Sequence, residues 1–164
     1  MIDFSHSVEA TINASPQALF DIVSDLSRHA ELAGSRELNP VRQEPAGSVA
    51  VGSHLHAEET VVMADGSTMD ITAASVVVTY DPPKSFSWIV NPQLGEQVRR
   101  MQWWFTMSPQ GGGTKVVHEV ELDWGDIQNE TLRGLVDNYE QVRAGVVRDG
   151  MSKTLGNLKR IAEG

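Results

Sequence analysis

The chain has 164 residues, of which 40% are hydrophobic, and this fits one globular domain over residues 1–164 with a core of its own. Its 13 Lys and Arg against 22 Asp and Glu give a formal net charge of -9, which disfavours binding to nucleic acid or to anionic lipid. The absence of cysteine excludes a disulfide framework and a thiol nucleophile. No signal peptide and no apolar run of roughly 18 residues is found, so we expect a cytoplasmic protein without membrane insertion.

The N-terminal part of the chain predicts a strand followed by two short helices. Residues 4–13 alternate apolar and polar side chains, which is typical of a half-buried strand. Ser15 can cap a helix through its hydroxyl group, and Pro16 suits the first helical position. Residues 25–32 then predict a second short helix that Gly34 closes.

The middle of the chain, residues 38–124, predicts five or six consecutive antiparallel strands. It is rich in β-branched and aromatic residues, and turn signals such as Asp65-Gly66 interrupt it at intervals.

The C-terminal part predicts a long amphipathic helix. Its apolar stripe consists of Leu132, Leu135, Tyr139, Val142 and Val146, followed by Val147, Met151, Leu155, Leu158 and Ala162. The stripe shifts by one position near Gly150. Either one helix ends at Gly150 and a second begins at Met151, or a single helix packs closely, bends or shifts over a cavity mouth there.

Three segments carry a resemblance to a known superfamily: VEATINASPQALFDIVSD, DPPKSFSW and WWFTMSPQGGGTKVV. They resemble the START and birch-pollen-allergen superfamily, often called SRPBCC, and within it the polyketide cyclase/dehydrase branch. The resemblance covers nearly the whole chain. It implies an α+β helix-grip fold, in which a curved antiparallel sheet wraps around a long C-terminal helix and leaves an apolar cavity. One departure is Glu31-Leu32, where such proteins often carry Glu-Trp.

Strand alternation assigns an inner face to the predicted sheet, because the side that faces the helix must be the apolar one. The candidate ligand wall on this face, completed by one helical residue, is Trp88, Met101, Trp103, Phe105 and Tyr139. Such a wall is typical of small-molecule sites, whereas the same side chains packed on one another form ordinary core. With the resemblance, we favour the ligand wall.

Three ionisable residues, Glu59, Arg99 and His118, are also predicted on the inner face. A carboxylate such as that of Glu59 needs a partner there or must take up a proton. Arg99 can instead stack on Trp124 and extend to the rim. His118 is either a core histidine with a hydrogen-bond partner or a ligand contact.

The stretch SHLHAEET raises the alternative of a metal site. His54, His56 and Glu58 are spaced by two and share one face of a strand, and His118 is a fourth candidate ligand. Alternation, however, directs these three residues outward and His118 inward. We therefore predict no metal and no cofactor, unless a β-bulge between residues 52 and 59 exchanges the two faces.

Two main functions follow from these residues. The first is a carrier or sensor for a hydrophobic, ring-containing small molecule, whose polar end Glu59, Arg99 and His118 orient. The second is a polyketide cyclase or aromatase, in which His118 or Glu59 removes a proton from a poly-β-keto chain and Arg99 stabilises the enolate. A co-chaperone-like interaction module is a weaker third alternative. We favour binding without catalysis, in a monomer or a homodimer.

Overall fold

A computed structural model of the protein describes residues 1–92 and 98–164. Its strands form one antiparallel sheet in the spatial order β1-β7-β6-β5-β4-β3-β2. Their bounds are β1 (Phe4–Ile12), β2 (Arg36–Glu44), β3 (His54–Val62), β4 (Thr68–Asp81), β5 (Ser85–Pro92), β6 (Arg100–Gln110) and β7 (Gly113–Asp123). From β2 to β7, each strand therefore pairs with the next one along the chain, and β1 pairs with β7.

The helices lie before and after this run of strands. They are α1 (Pro16–Val23), a 3-10 turn (Leu26–Arg28), α2 (His29–Leu32), α3 (Glu130–Asp137), a π-helical turn (Glu140–Ala144) and α4 (Gly145–Glu163). Helix α4 packs against β1, α1 and α2. The predicted α+β helix-grip fold is confirmed, as are the two short helices after the first strand.

The start of α1 follows the sequence signal. The Ser15 side chain accepts a hydrogen bond from the backbone N–H of Ala18 at 3.1 Å, and Pro16 occupies the first turn. A side-chain cap of this kind satisfies one of the N–H groups that have no partner within the helix.

The C-terminal helical region is irregular at the π-helical turn and continuous at Gly150. A π-helical turn holds one extra residue, so it rotates the buried face by one position. Val142 and Val146 are accordingly half-buried, whereas Arg143 and Val147 are buried. The predicted stripe is therefore wrong at these two valines, and its shift occurs before Gly150.

Gly150 allows α4 to approach the start of β2. A Cβ atom at this position would lie 2.3 Å from the Cβ atom of Ser35 and 2.6 Å from its Cα atom. The structure therefore has one continuous helix that packs closely at Gly150.

Among residues 1–92 and 98–164, none of the helices combines the length and the hydrophobicity that a membrane-spanning helix requires.

Candidate ligand-binding site

A cavity, called here the main cavity, lies between the sheet and the C-terminal helical region. Its volume, taken as the space open to the centre of a water-sized sphere, is about 80 Å³. The walls are largely apolar and include Met63, Met69, Met101, Trp103, Trp124 and Tyr139. Methionines are flexible, so they can adapt the shape of this cavity to a ligand.

A buried ion pair forms one polar part of the main cavity. The Nε atom of Arg36 on β2 lies 3.3 Å from the Oε1 atom of Glu59 on β3, and the two side chains are 12% and 5% exposed. The Arg36 guanidinium also lies over the Trp103 ring, 5.4 Å from its centroid. Glu59 faces inward as predicted, and its partner is Arg36.

A second guanidinium comes from the π-helical turn. Arg143 is buried, and its Nη1 atom donates hydrogen bonds to the backbone oxygens of Ser35 at 2.9 Å and Val62 at 2.5 Å. Burial lowers the pKa of Arg143, but a guanidinium remains charged in proteins. Burial also raises the pKa of the neighbouring Tyr139 to about 12, so its hydroxyl group keeps its proton at neutral pH.

Two N–H groups beside the main cavity lack an acceptor in the described part of the chain. The Trp103 Nε1 atom and the Arg36 Nε atom are buried and have no hydrogen-bond partner among residues 1–92 and 98–164. The Arg36 Nε–H group lies close to Glu59 but is not directed at the carboxylate oxygen, so the ion pair leaves this N–H group without an acceptor. Buried donors are rarely left without an acceptor, so both mark a place where a ligand oxygen can bind.

A smaller cavity adjoins the main one and contains two histidines. His29 and His118 line it together with Trp88 and Phe105, and Arg36 and Trp103 line both cavities. The His118 ring stacks on Phe105 with 4.2 Å between centroids.

Both histidines are uncharged at neutral pH. Burial is the main cause that lowers each pKa from 6.5 to about 4. The Nδ1 atom of His118 is 2.8 Å from the Trp104 backbone oxygen, and the Nε2 atom of His29 is 2.8 Å from that of Val23. A carbonyl oxygen can only accept, so these ring nitrogens carry the protons and the other nitrogen of each ring has a free lone pair.

The structure distributes the predicted wall residues over the two cavities. Met101 and Tyr139 line the main cavity, Trp88 and Phe105 line the smaller one, and Trp103 lines both. His118 is 3% exposed and faces inward as predicted, but in the smaller cavity rather than beside Glu59.

The predicted inner position of Arg99 is wrong. Its side chain is 60% exposed, with Nη1 3.6 Å from the Asp123 carboxylate, and it packs over Gly125. Arg99 precedes β6, which begins at Arg100, so strand alternation does not extend to it. Among the described residues, the guanidinium groups that line the main cavity are instead those of Arg36 and Arg143.

Sequence reasoning missed Arg36, Arg143 and His29. Only Arg143 had a usable signal, since it lies four residues before Val147 and four after Tyr139 on the apolar stripe. Arg36 begins an edge strand whose register shifts between Pro40 and Arg42. His29 lies in a four-residue helix, which is too short to show a periodic pattern.

The outward face of β3 carries the alternative metal ligands. His54 and Glu58 are exposed and His56 is half-buried, and β3 pairs with β4 in continuous register from His54 to Val62. The predicted face assignment is confirmed, without a bulge that exchanges the faces. No group of three or more His, Cys, Asp or Glu residues suited to a metal ion is found in the part of the chain that the structure describes.

The model of one protein family, described as polyketide cyclase / dehydrase and lipid transport, matches residues 1–163. The chain belongs to this family. A comparison of this family member with curated proteins finds no match.

Solved structures similar to this family member come from several bacteria. Protein CV1439 from Chromobacterium violaceum is 11% identical with a TM-score of 0.67, over 98% of this chain and 99% of that chain. Protein Ms6760 from Mycobacterium smegmatis is 16% identical with a TM-score of 0.64, over 96% and 89%. TTHA0849 from Thermus thermophilus is 17% identical with a TM-score of 0.63, over 98% and 97%. At these identities the likeness concerns the fold alone.

Proposed function

We propose that the protein binds a hydrophobic, ring-containing small molecule in the main cavity and acts as its carrier or sensor. The observation that carries this proposal is an apolar, aromatic cavity with a few polar groups gathered around Arg36, Glu59 and Trp103. Small-molecule sites combine these two features, because apolar walls supply affinity and a few polar groups fix orientation. The family description, with its mention of lipid transport, supports the same function.

The aromatic walls favour a ligand that contains a ring. Trp103, Trp124 and Tyr139 line the main cavity, and aromatic pairs contribute about 0.5–1.5 kcal/mol beyond the area that they bury. Met63, Met69 and Met101 can change rotamer as a ligand enters. We therefore expect several planar apolar compounds to bind, with affinities that depend on their shape.

Calorimetric titration with a panel of planar apolar compounds tests this function. A bulky side chain at Leu135, which lines the main cavity, should compete with the ligand for space, so Leu135→Trp should weaken binding tenfold or more. Val136 is equally half-buried but does not line that cavity, and Val136→Trp is the matched control. A panel without saturable binding to the unmodified protein would contradict the proposal, as would equal effects of the two variants.

A cyclase activity is the second candidate, and one observation favours it. His118, whose second ring nitrogen has a free lone pair, lines the smaller cavity together with Arg36. A base beside a cation is the arrangement that enolisation of a β-keto chain requires, because the cation stabilises the developing enolate oxygen. His118 would act as a base, since at neutral pH it holds no second proton to donate.

A further inference from the structure

We infer that the ligand of the main cavity ends in a carboxylate or a similar anionic oxygen group, bound by Arg36 and the indole N–H of Trp103. This inference rests on the proposed function and specifies the chemical class of its ligand. It follows from two observations, the charge of the cavity walls and the unpartnered donors.

The charge of the cavity walls is positive. Within the described residues, the charged side chains that line the two cavities are Arg36, Arg143 and Glu59, so two guanidinium groups face one carboxylate. The backbone oxygens of Ser35 and Val62 hold Arg143 in place but do not neutralise its charge. A buried charge without a counter-charge is costly. An anionic ligand would supply that counter-charge, even though the chain as a whole has a net charge of -9.

The unpartnered donors lie where such an anion would bind. The Arg36 guanidinium lies 5.4 Å from the Trp103 ring centroid, and both residues line the two cavities. Their Nε and Nε1 atoms are the buried donors without an acceptor in the described chain. A carboxylate has two oxygens and can accept from both donors. An uncharged carbonyl group could satisfy a donor, but it would leave the excess positive charge in place.

Matched ligands separate these possibilities. We would titrate naphthoate, its methyl ester and methylnaphthalene into the protein by calorimetry, and repeat the titrations with decanoate, its methyl ester and decane. A charge-assisted hydrogen bond predicts that each carboxylate binds on the order of tenfold to a hundredfold more tightly than its ester. Equal binding of acid and ester would overturn the inference and leave the proposed function standing. No binding in either series would overturn both.

Variants test the assigned residues. Arg36→Gln should reduce the preference for carboxylate over ester to about threefold or less, because it removes the excess charge. Glu59→Gln should increase that preference, because it removes the competing carboxylate. Arg100→Gln on the opposite face, where Arg100 pairs with Glu121, should change nothing.

Trp103→Phe keeps an aromatic ring and removes the N–H group. It should weaken binding of the carboxylate and the ester but not of the hydrocarbon. Circular dichroism checks the fold of each variant. If Arg36→Gln does not fold, Glu59→Gln and Trp103→Phe still decide the question. A Glu59→Gln protein whose preference for carboxylate is unchanged or reduced would contradict the inference.

Discussion

Arg36 and Glu59 form an ion pair inside the protein, with the arginine Nε atom 3.3 Å from the glutamate Oε1 atom and side chains that are only 12% and 5% exposed. They come from neighbouring strands, since Leu38 on β2 is the register partner of Glu59 on β3. Removing two charges from water costs several kcal/mol for each, and their mutual attraction offsets that cost only while both are present. The pair therefore links the stability of the protein to the chemistry of its cavity.

The first prediction follows from this dependence. Arg36→Met alone should lower the free energy of unfolding by about 3 kcal/mol or more, because it leaves the Glu59 carboxylate buried without its partner. The double variant Arg36→Met with Glu59→Leu should recover most of that loss, because no uncompensated charge remains from the pair. Urea denaturation of the single and double variants measures both effects. If the double variant loses as much stability as Arg36→Met and Glu59→Leu lose together when measured separately, the pair is not coupled.

The second prediction concerns the close approach of α4 to β2. Gly150→Ala should destabilise the protein by several kcal/mol, since the added methyl group would overlap the backbone of Ser35. Gly156 provides the control in the same helix, because a Cβ atom there meets nothing within 4 Å. Gly156→Ala should stabilise the protein by up to about 1 kcal/mol through helix propensity. Thermal unfolding of the two variants should shift in opposite directions, and equal shifts would contradict the close packing.

The inner face of the sheet was predictable where strands are regular. Glu59 and His118 lie in strands with continuous pairing, from His54 to Val62 and along β7, so alternation placed both correctly. Arg99 lies just outside β6, where alternation has no basis. Arg143 was missed although it lies four residues from both Tyr139 and Val147, because the apolar Val142 and Val146 indicated a phase of the stripe that the π-helical turn shifts by one position.

The ion pair shows a second limit of sequence reasoning. An inward carboxylate at position 59 indicated the need for a partner, but not which cation supplies it. The partner Arg36 is 23 residues away along the chain, and their contact depends on the register of the edge strand β2. Register between strands is set by packing and by turn geometry, and a single sequence does not reveal it at this edge.

The third prediction uses the lowered pKa values of the two buried histidines. Each pKa falls from 6.5 in the unfolded chain to about 4 in the folded protein, chiefly through burial, and the positive charge of Arg36 also lowers both. Between these values the unfolded state binds more protons than the folded state, so stability decreases as the pH falls from about 6.5 to about 4. The stability that the two uncharged histidines contribute is fully present above the unfolded-state pKa of 6.5.

His118→Gln should remove its share of this pH dependence, on the order of 2–3 kcal/mol between neutral pH and about pH 4. The measurement is urea denaturation at several pH values. The exposed His54 provides the control, since His54→Gln should leave the pH dependence unchanged. A His118→Gln profile with the same slope as that of the unmodified protein would contradict the buried, uncharged state of His118.

The last prediction tests catalysis. If the protein is a cyclase, a model poly-β-ketone should react at a rate that stays constant from neutral pH down to about pH 5.5 and falls toward about pH 4, where His118 takes up a proton. His118→Gln should lower kcat by roughly two to four orders of magnitude and leave ligand affinity within a few-fold, because a general base acts mainly in the transition state. Glu59→Gln applies the same test to the other candidate base, which lies in the main cavity. An inflection near the ordinary histidine pKa would exclude His118 as the base. A variant that loses affinity while no substrate reacts would instead assign His118 to ligand binding, which is the role that a carrier requires.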